Sequence, residues 1–219
     1  MITFEEIKKD PGIRTYIKKA DESLINLGFT EHSFAHVGLV AANSKYILET
    51  MGYSEREVEL VQIAAYLHDI GNLVNRVDHS QSGAVMAFRI LDHMDMEAAD
   101  IATVVTALGN HDEGNGVPVN AVAAALILAD KSDVRRNRVR NRDMAAFDIH
   151  DRVNYSVESS RLLVLPGEKV ARLELTVDTQ FSSIMDFFEI FMKRMLLCRR
   201  AAERLGLRFQ LTINGQQLI

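Results

Sequence analysis

The sequence predicts a mostly α-helical protein: a helical bundle over residues 1–142, followed by a small α+β part over residues 143–219 with about three strands and one long helix. Two observations carry this. From about Phe4 to Arg142, apolar residues recur at steps of three and four, the period of an amphipathic helix. After about Asp143 the period drops to two in separate short stretches, as in half-buried strands. Size agrees. A chain of 219 residues that is 47% hydrophobic holds one full core and a small appendage.

One helix runs from about Glu31 to Met51, with Val37, Val40, Ala41, Ser44, Leu48 and Met51 as its small and apolar stripe. A second opens at Ser54, with Glu57 three residues on as a capping partner. It carries Val58, Val61, Ala64, Ala65 and His68 on one face and stops at Gly71, read as a C-terminal breaker. A third covers about Ser82 to Asp92, and a fourth about Asp95 to Leu108, ending at Gly109. The loop from Asn110 to Pro118 follows, and a fifth helix runs from about Asn120 into the arginine-rich stretch. In the α+β part, Val153 to Leu165 reads as a strand closed by Pro166-Gly167. Leu173, Leu175 and Val177 mark a second strand, and Phe209, Leu211 and Ile213 a third. Between them, Ile184, Phe188, Phe191, Met195, Cys198, Ala202 and Leu205 form the stripe of a long helix.

Bulk properties narrow the function classes. A net charge of −5 argues against a general nucleic-acid or membrane-surface coat, so nucleic acid is not an expected partner. Cys198 is the single cysteine, which rules out an internal disulfide and fits a reducing, cytoplasmic setting. The start Met1-Ile2-Thr3-Phe4-Glu5-Glu6 lacks a basic segment followed by an apolar run, so no signal peptide is expected there. No apolar stretch reaches the ~20 residues of a membrane span.

The informative residues are polar ones at apolar positions. His68 lies on the same face as Val61 and Ala64. A lone histidine there is most often a core residue bonded to a carbonyl. Asp69 beside it weakens that reading, because a carboxylate near the core needs a partner. Asp130 follows Val122 and Leu126 at four-residue steps, on the apolar face of the fifth helix. His36 opens the Val37/Val40/Ser44 helix, one turn after His32. Two His and two Asp on three helices make a nitrogen and oxygen donor set for a divalent metal. The His-Asp dipeptide is not specific. It recurs at His111-Asp112 and at His150-Asp151, the latter read as surface.

These residues resemble the HD superfamily of metal-dependent phosphohydrolases. His36, then His68-Asp69 with Ile70-Gly71, then Asp130 match in order, and Ala64-Ala65-Tyr66-Leu67-His68-Asp69-Ile70-Gly71 is a close match. The resemblance covers roughly residues 30–140 and says nothing of the rest. It implies an HD-type helical bundle holding one or two divalent ions (Mn, Fe, Ni, Zn, Co or Mg). Many members add two histidines between the HD pair and the last Asp, and bind two metals. His79 and His111 fit those places. The implied ligands are His36, His68, Asp69 and Asp130 around one ion, and His79, His111 and a bridging Asp69 around the other. The alternative makes His79 and His111 loop histidines that contact substrate or solvent. The chain departs from the pattern at Asn72, where members often have Lys. Gly114-Asn115-Gly116-Val117-Pro118 resembles the loop of the branch that hydrolyses cyclic dinucleotides, but the spacing is short and Val117 replaces the aromatic.

The implied reaction is hydrolysis, by metal-activated water, of a phosphate ester of a nucleotide or other small phosphorylated molecule, either a monoester or a diester. His68 and Asp69 are the implied catalytic pair. Asp112 and Glu113 read as solvated loop acids, with a proton-carrying role as the alternative. Lys131, Arg135, Arg136 and Arg76 are candidate phosphate contacts, since Arg suits bidentate phosphate recognition. For Lys131, Arg135 and Arg136 the competing reading is a solvated helix end, which is favoured for Arg138, Arg140 and Arg142. Asp133, one turn after Asp130, is a candidate support for a ligand. Two other functions share the pattern: a di-iron HD-type oxygenase, and a non-catalytic regulatory module that binds metal and nucleotide. The α+β part is a candidate homodimer surface.

Overall fold

Side-chain caps place the helices. In the computed structural model, which describes residues 1–219, Thr3 and Glu6 form the capping box of α1 (Phe4–Lys9). Asp10 accepts from the Ile13 amide, and Pro11 opens α2 (Pro11–Asn26). Ser33 caps α3 (Phe34–Thr50), three residues after the expected start at Glu31. The expected Ser54–Glu57 box opens α4 (Glu55–Leu67). The bundle is completed by α5 (His79–His93), α6 (Ala98–Gly109) and α7 (Ala121–Lys131).

Several boundaries differ from expectation. Gly71 does not end α4; that helix stops at Leu67, and residues Ile70–Leu73 form a 3-10 turn. Gly71 serves a close approach instead. A Cβ there would lie 2.0 Å from the His79 carbonyl oxygen and 2.5 Å from the Gly83 amide nitrogen. This lets the turn rest on the start of α5 and brings His79 beside Asp69. α5 begins at His79 rather than Ser82, which places that histidine in the first helical turn. α6 begins at Ala98 because Asp95 takes a left-handed conformation, φ 58°. α7 ends at Lys131 and does not enter the arginine-rich stretch.

α7 is the axis of the bundle. All ten residues from Val122 to Lys131 are buried, and α3, α4, α6 and α9 (Ile184–Arg204) pack around it. A helix that is apolar all round belongs in a core. Buried residues of both parts of the chain form one cluster, which includes Leu126 and Val134 together with Val153, Phe187, Phe191 and Met195.

The expected strand from Val153 is part helix. Asp148 accepts from the Asp151 amide and opens α8 (Ile149–Ser156), so β1 covers only Val157–Leu165. A 3-10 turn at Pro166–Glu168 leads to β2 (Val170–Val177), antiparallel to β1, with Leu162 opposite Leu173. α9 crosses to β3 (Arg208–Ile213), which runs parallel to β2. Leu173, Leu175, Val177, Phe209, Leu211 and Ile213 are buried, as the alternation predicts. A fourth short strand, β4 (Gln216–Gln217), returns through Asn214-Gly215. Both turn residues have positive φ, the signature of an Asn-Gly hairpin. No helix is long and apolar enough to cross a membrane.

Candidate metal centre

Five elements bring four imidazoles and two carboxylates together. α3 supplies His36, the end of α4 supplies His68 and Asp69, and the start of α5 supplies His79. The residue after Asn110, where α6 ends, is His111, and the last turn of α7 supplies Asp130. All six are buried. The rings of His36, His68, His111 and His79 follow one another edge to face, at centroid distances of 5.2, 5.0 and 5.1 Å. The C-terminal ends of α4, α6 and α7 meet here, and their unpaired carbonyls favour a cation.

Each ring is held by Nδ1 and presents Nε2. His68 bonds the Ala65 carbonyl at 2.7 Å, His79 the Arg76 carbonyl at 3.1 Å, and His111 the Leu108 carbonyl at 2.7 Å. His36 Nδ1 lies 2.7 Å from Asp133 Oδ2. Such partners fix the tautomer and leave Nε2 as a lone-pair donor. The Nε2 atoms of His36 and His68 lie 3.3 Å apart. Asp130 Oδ1 is 3.4 Å from the first and 3.7 Å from the second. Asp69 faces both ways. Its Oδ2 is 3.0 Å from His68 Nε2 and 3.5 Å from His36 Nε2, while Oδ1 is 3.6 Å from His79 Nε2. Two triads, His36/His68/Asp130 and His68/Asp69/His111, are compact enough for an ion.

The donor set fits a metal. Asp69 Oδ2 and His111 Nε2 are buried with no hydrogen-bond partner, and native structures rarely leave such atoms unsatisfied. The field is uneven. Burial alone would lower His68, but the Asp69 and Asp130 carboxylates outweigh it and lift the ring to about 10, so a metal there would displace a proton from Nε2. Burial, with the charges of His68 and Lys131, pushes His111 down to about 3. Asp69 and Asp130 stay well below the usual carboxylate range despite their burial, through His68 for the first and Lys131 for the second.

A second layer braces these ligands. Asn72, the departure from the family pattern, donates to Asp69 Oδ1 at 3.0 Å and to its carbonyl at 2.9 Å. Asp133 holds His36, as its position after Asp130 suggested. Lys131 pairs with Asp130 Oδ2 at 2.7 Å and with Glu113 at 2.6 Å. Glu113 also accepts from Arg194 at 3.0 Å, so it is a paired acid rather than a solvated one. Arg194 escaped the sequence reading because it lies outside the matched region, one turn after Phe191 on the α9 stripe. Asp112 lies 4.0 Å from His79 Nε2. His32 stacks edge to face on His36 and bonds the Thr30 carbonyl.

The four candidate phosphate contacts divide. Arg76 sits at the centre, 3.5 Å from His79 Nε2 and 3.3 Å from Asn72 Oδ1, over the ring of Phe29. It makes no ion pair with a carboxylate and lines a cavity of ≈ 460 Å³ shared with Glu113, Arg194, His150 and Asp151. Lys131 is buried among acids. Arg135 turns to Asp133, and Arg136 lies against Tyr155 and Phe181, so the structure does not bring these two to the histidines. Arg138 is not a solvated cation either. It is buried and donates to the carbonyls of Glu31 and Asp133.

The family model of the HD domain matches residues 33–152. An uncharacterized protein of Methanocaldococcus jannaschii is 25% identical over 202 residues, covering 81% of this chain and 76% of that protein. The crystal structure of a predicted HD superfamily hydrolase from an uncultured Thermotogales bacterium aligns with 25% identity and a TM-score of 0.46. That alignment covers 62% of this chain and 75% of the other.

Proposed function

The chain belongs to the HD domain family, a superfamily of metal-dependent phosphohydrolases, and from that footing we propose that it hydrolyses a phosphate ester of a nucleotide or another small phosphorylated molecule. The observation that carries this reading is the convergence of four Nε2 atoms and two carboxylates around the unpartnered Asp69 Oδ2 and His111 Nε2. His36, His68, Asp69 and Asp130 would hold one divalent ion, and His79, His111 and the other oxygen of Asp69 a second. Ions there supply a lowered pKa for bound water and charge neutralisation for phosphoryl oxygens.

The chain's own residues do the rest. Asp69, held by Asn72, presents Oδ2 to His36 and His68 and Oδ1 to His79, and would orient an attacking water. Lys131 offsets the charge of Asp130 and keeps that carboxylate ionised. Arg76, with no carboxylate of its own, takes the phosphate. Asp112, partly exposed beside His79, is placed to carry the proton released by the attacking water to the leaving oxygen. The adjoining cavity has the volume of a small-ligand site.

A panel of phosphate monoesters and diesters, assayed with and without added divalent metal, tests the proposal. Phosphate or alcohol release should require metal and vanish in Asp69→Ala. Arg76→Ala should raise KM by roughly tenfold. Full activity in metal-free protein would overturn the reading. Substrate-dependent O₂ uptake without phosphate release would favour the oxygenase chemistry that the same ligands permit.

A further inference from the structure

The arginine-rich stretch after α7 touches the metal centre only through Asp133, which Arg135 and Arg138 contact. It lines a separate cavity of ≈ 660 Å³, which includes Arg135, Arg136, Asn137, Asn141 and Arg142. Glu158 is the one acidic residue on its wall, against three guanidinium groups. Two neighbouring arginines are already committed: Arg138 to backbone carbonyls and Arg140 to Asp21. The three in the cavity are not fully used. Arg142 is exposed and makes no ion pair. Arg136 donates through Nε to the Tyr155 carbonyl, but its Nη2 is buried with no hydrogen-bond partner, 3.7 Å from both Glu158 and Asp178. Arg135 lies on the wall with its guanidinium on Asp133. The remaining wall is apolar, from Val139, Met144, Phe147 and Tyr155.

We propose that this cavity is a second anion site, distinct from the metal centre, that binds a small organic polyphosphate. Unused guanidinium donors suit clustered phosphate oxygens, which accept several charge-assisted hydrogen bonds at once. The apolar wall suits the organic portion. The concave shape suits a small molecule rather than an extended nucleic-acid backbone, which tracks an open basic groove. Arg135 joins the site to the metal centre, because the carboxylate it holds is the one that fixes His36.

Calorimetric titration of the full chain with adenosine triphosphate and with inorganic tripolyphosphate tests this. An Asp69→Asn background removes turnover, and the wild type is run beside it in chelator. Binding should survive Asp69→Asn, weaken roughly tenfold or more in Arg142→Glu, and fall with added salt. The triphosphate of the nucleoside should bind more tightly than the inorganic chain. Arg142 is exposed, so its substitution leaves the fold intact. No binding, or binding that Asp69→Asn abolishes and Arg142→Glu leaves alone, would overturn the proposal. Equal affinity for the two probes would overturn the organic assignment. Tighter binding of a short single-stranded RNA, weakened by Arg142→Glu, would replace it with a nucleic-acid site.

Discussion

His68 and His111 have rings 5.0 Å apart, yet their surroundings push them in opposite directions, to about 10 and about 3. The two ends of the cluster are built differently. At the His36/His68 end, Asp69 and Asp130 concentrate negative charge, with Asp133 bracing His36 from behind. At the His79/His111 end both rings are held through Nδ1 by backbone carbonyls, one oxygen of Asp69 faces His79, and the nearby charges include the cations Lys131 and Arg76. A divalent ion would meet two carboxylates at the first end, and two imidazoles with a single oxygen of Asp69 at the second. Loading is therefore expected to be sequential, with the first ion held more tightly.

Separate substitutions break this asymmetry. Asp130→Ala should empty the first site and abolish turnover. His79→Ala should leave one ion per chain and remove only the second, as read by metal analysis after dialysis. Equal losses in the two variants would contradict the asymmetry. Gly71→Ala attacks the joint between the ends. Its Cβ would meet backbone at 2.0 Å, so we expect about 3 kcal/mol of lost stability in denaturant melts, together with weaker binding of the second ion. Asp133→Asn touches only the first end. It should weaken that ion by roughly 10–100-fold, the range for partners of ligating histidines, and leave the second nearly unchanged.

The smallest expected effect is on acid stability. Against burial, His36 and Arg135 hold Asp133 below its ordinary 3.8, and Lys131 and Arg194 hold Glu113 below its ordinary 4.5. A carboxyl depressed on folding stabilises the protein above its unfolded pKa, and this is lost as pH falls through the folded value. In metal-free protein these two contributions should be intact above about pH 5 and decline below about pH 4. Glu113→Gln should flatten part of that decline in denaturant melts across pH. An unchanged slope would show that the Lys131–Glu113–Arg194 network does not couple to folding.

His36, His68, Asp69 and Asp130 stand out because each is polar at an apolar position of a periodic helix. Asp133 followed from its place one turn on. The capping box at Ser54 and the alternation in β2 and β3 rest on equally local signals. Gly71 was visible as a glycine but not for its reason, because the packing of the turn on α5 joins residues far apart in sequence. The arginines misled for the same cause. A run of cations after a helix looks like a solvated end, while the fold sends Arg138 into the core and Arg135 to Asp133. Arg194 had no local signal, since its partner Glu113 is 81 residues away. Asn214-Gly215 did carry one, an Asn-Gly pair with strand residues on either side, which marks the β3–β4 hairpin.

Metal content per chain for wild type and Asp69→Ala, measured on the same preparations as phosphate release, tests whether Asp69 holds the metal that supports turnover. Because Asp69 faces both groups of histidines, its loss should remove both ions and all activity, whereas wild type retains metal and turns over. Wild-type protein that is fully active without metal, or Asp69→Ala protein that keeps its full complement, would rule out a catalytic metal centre built on Asp69.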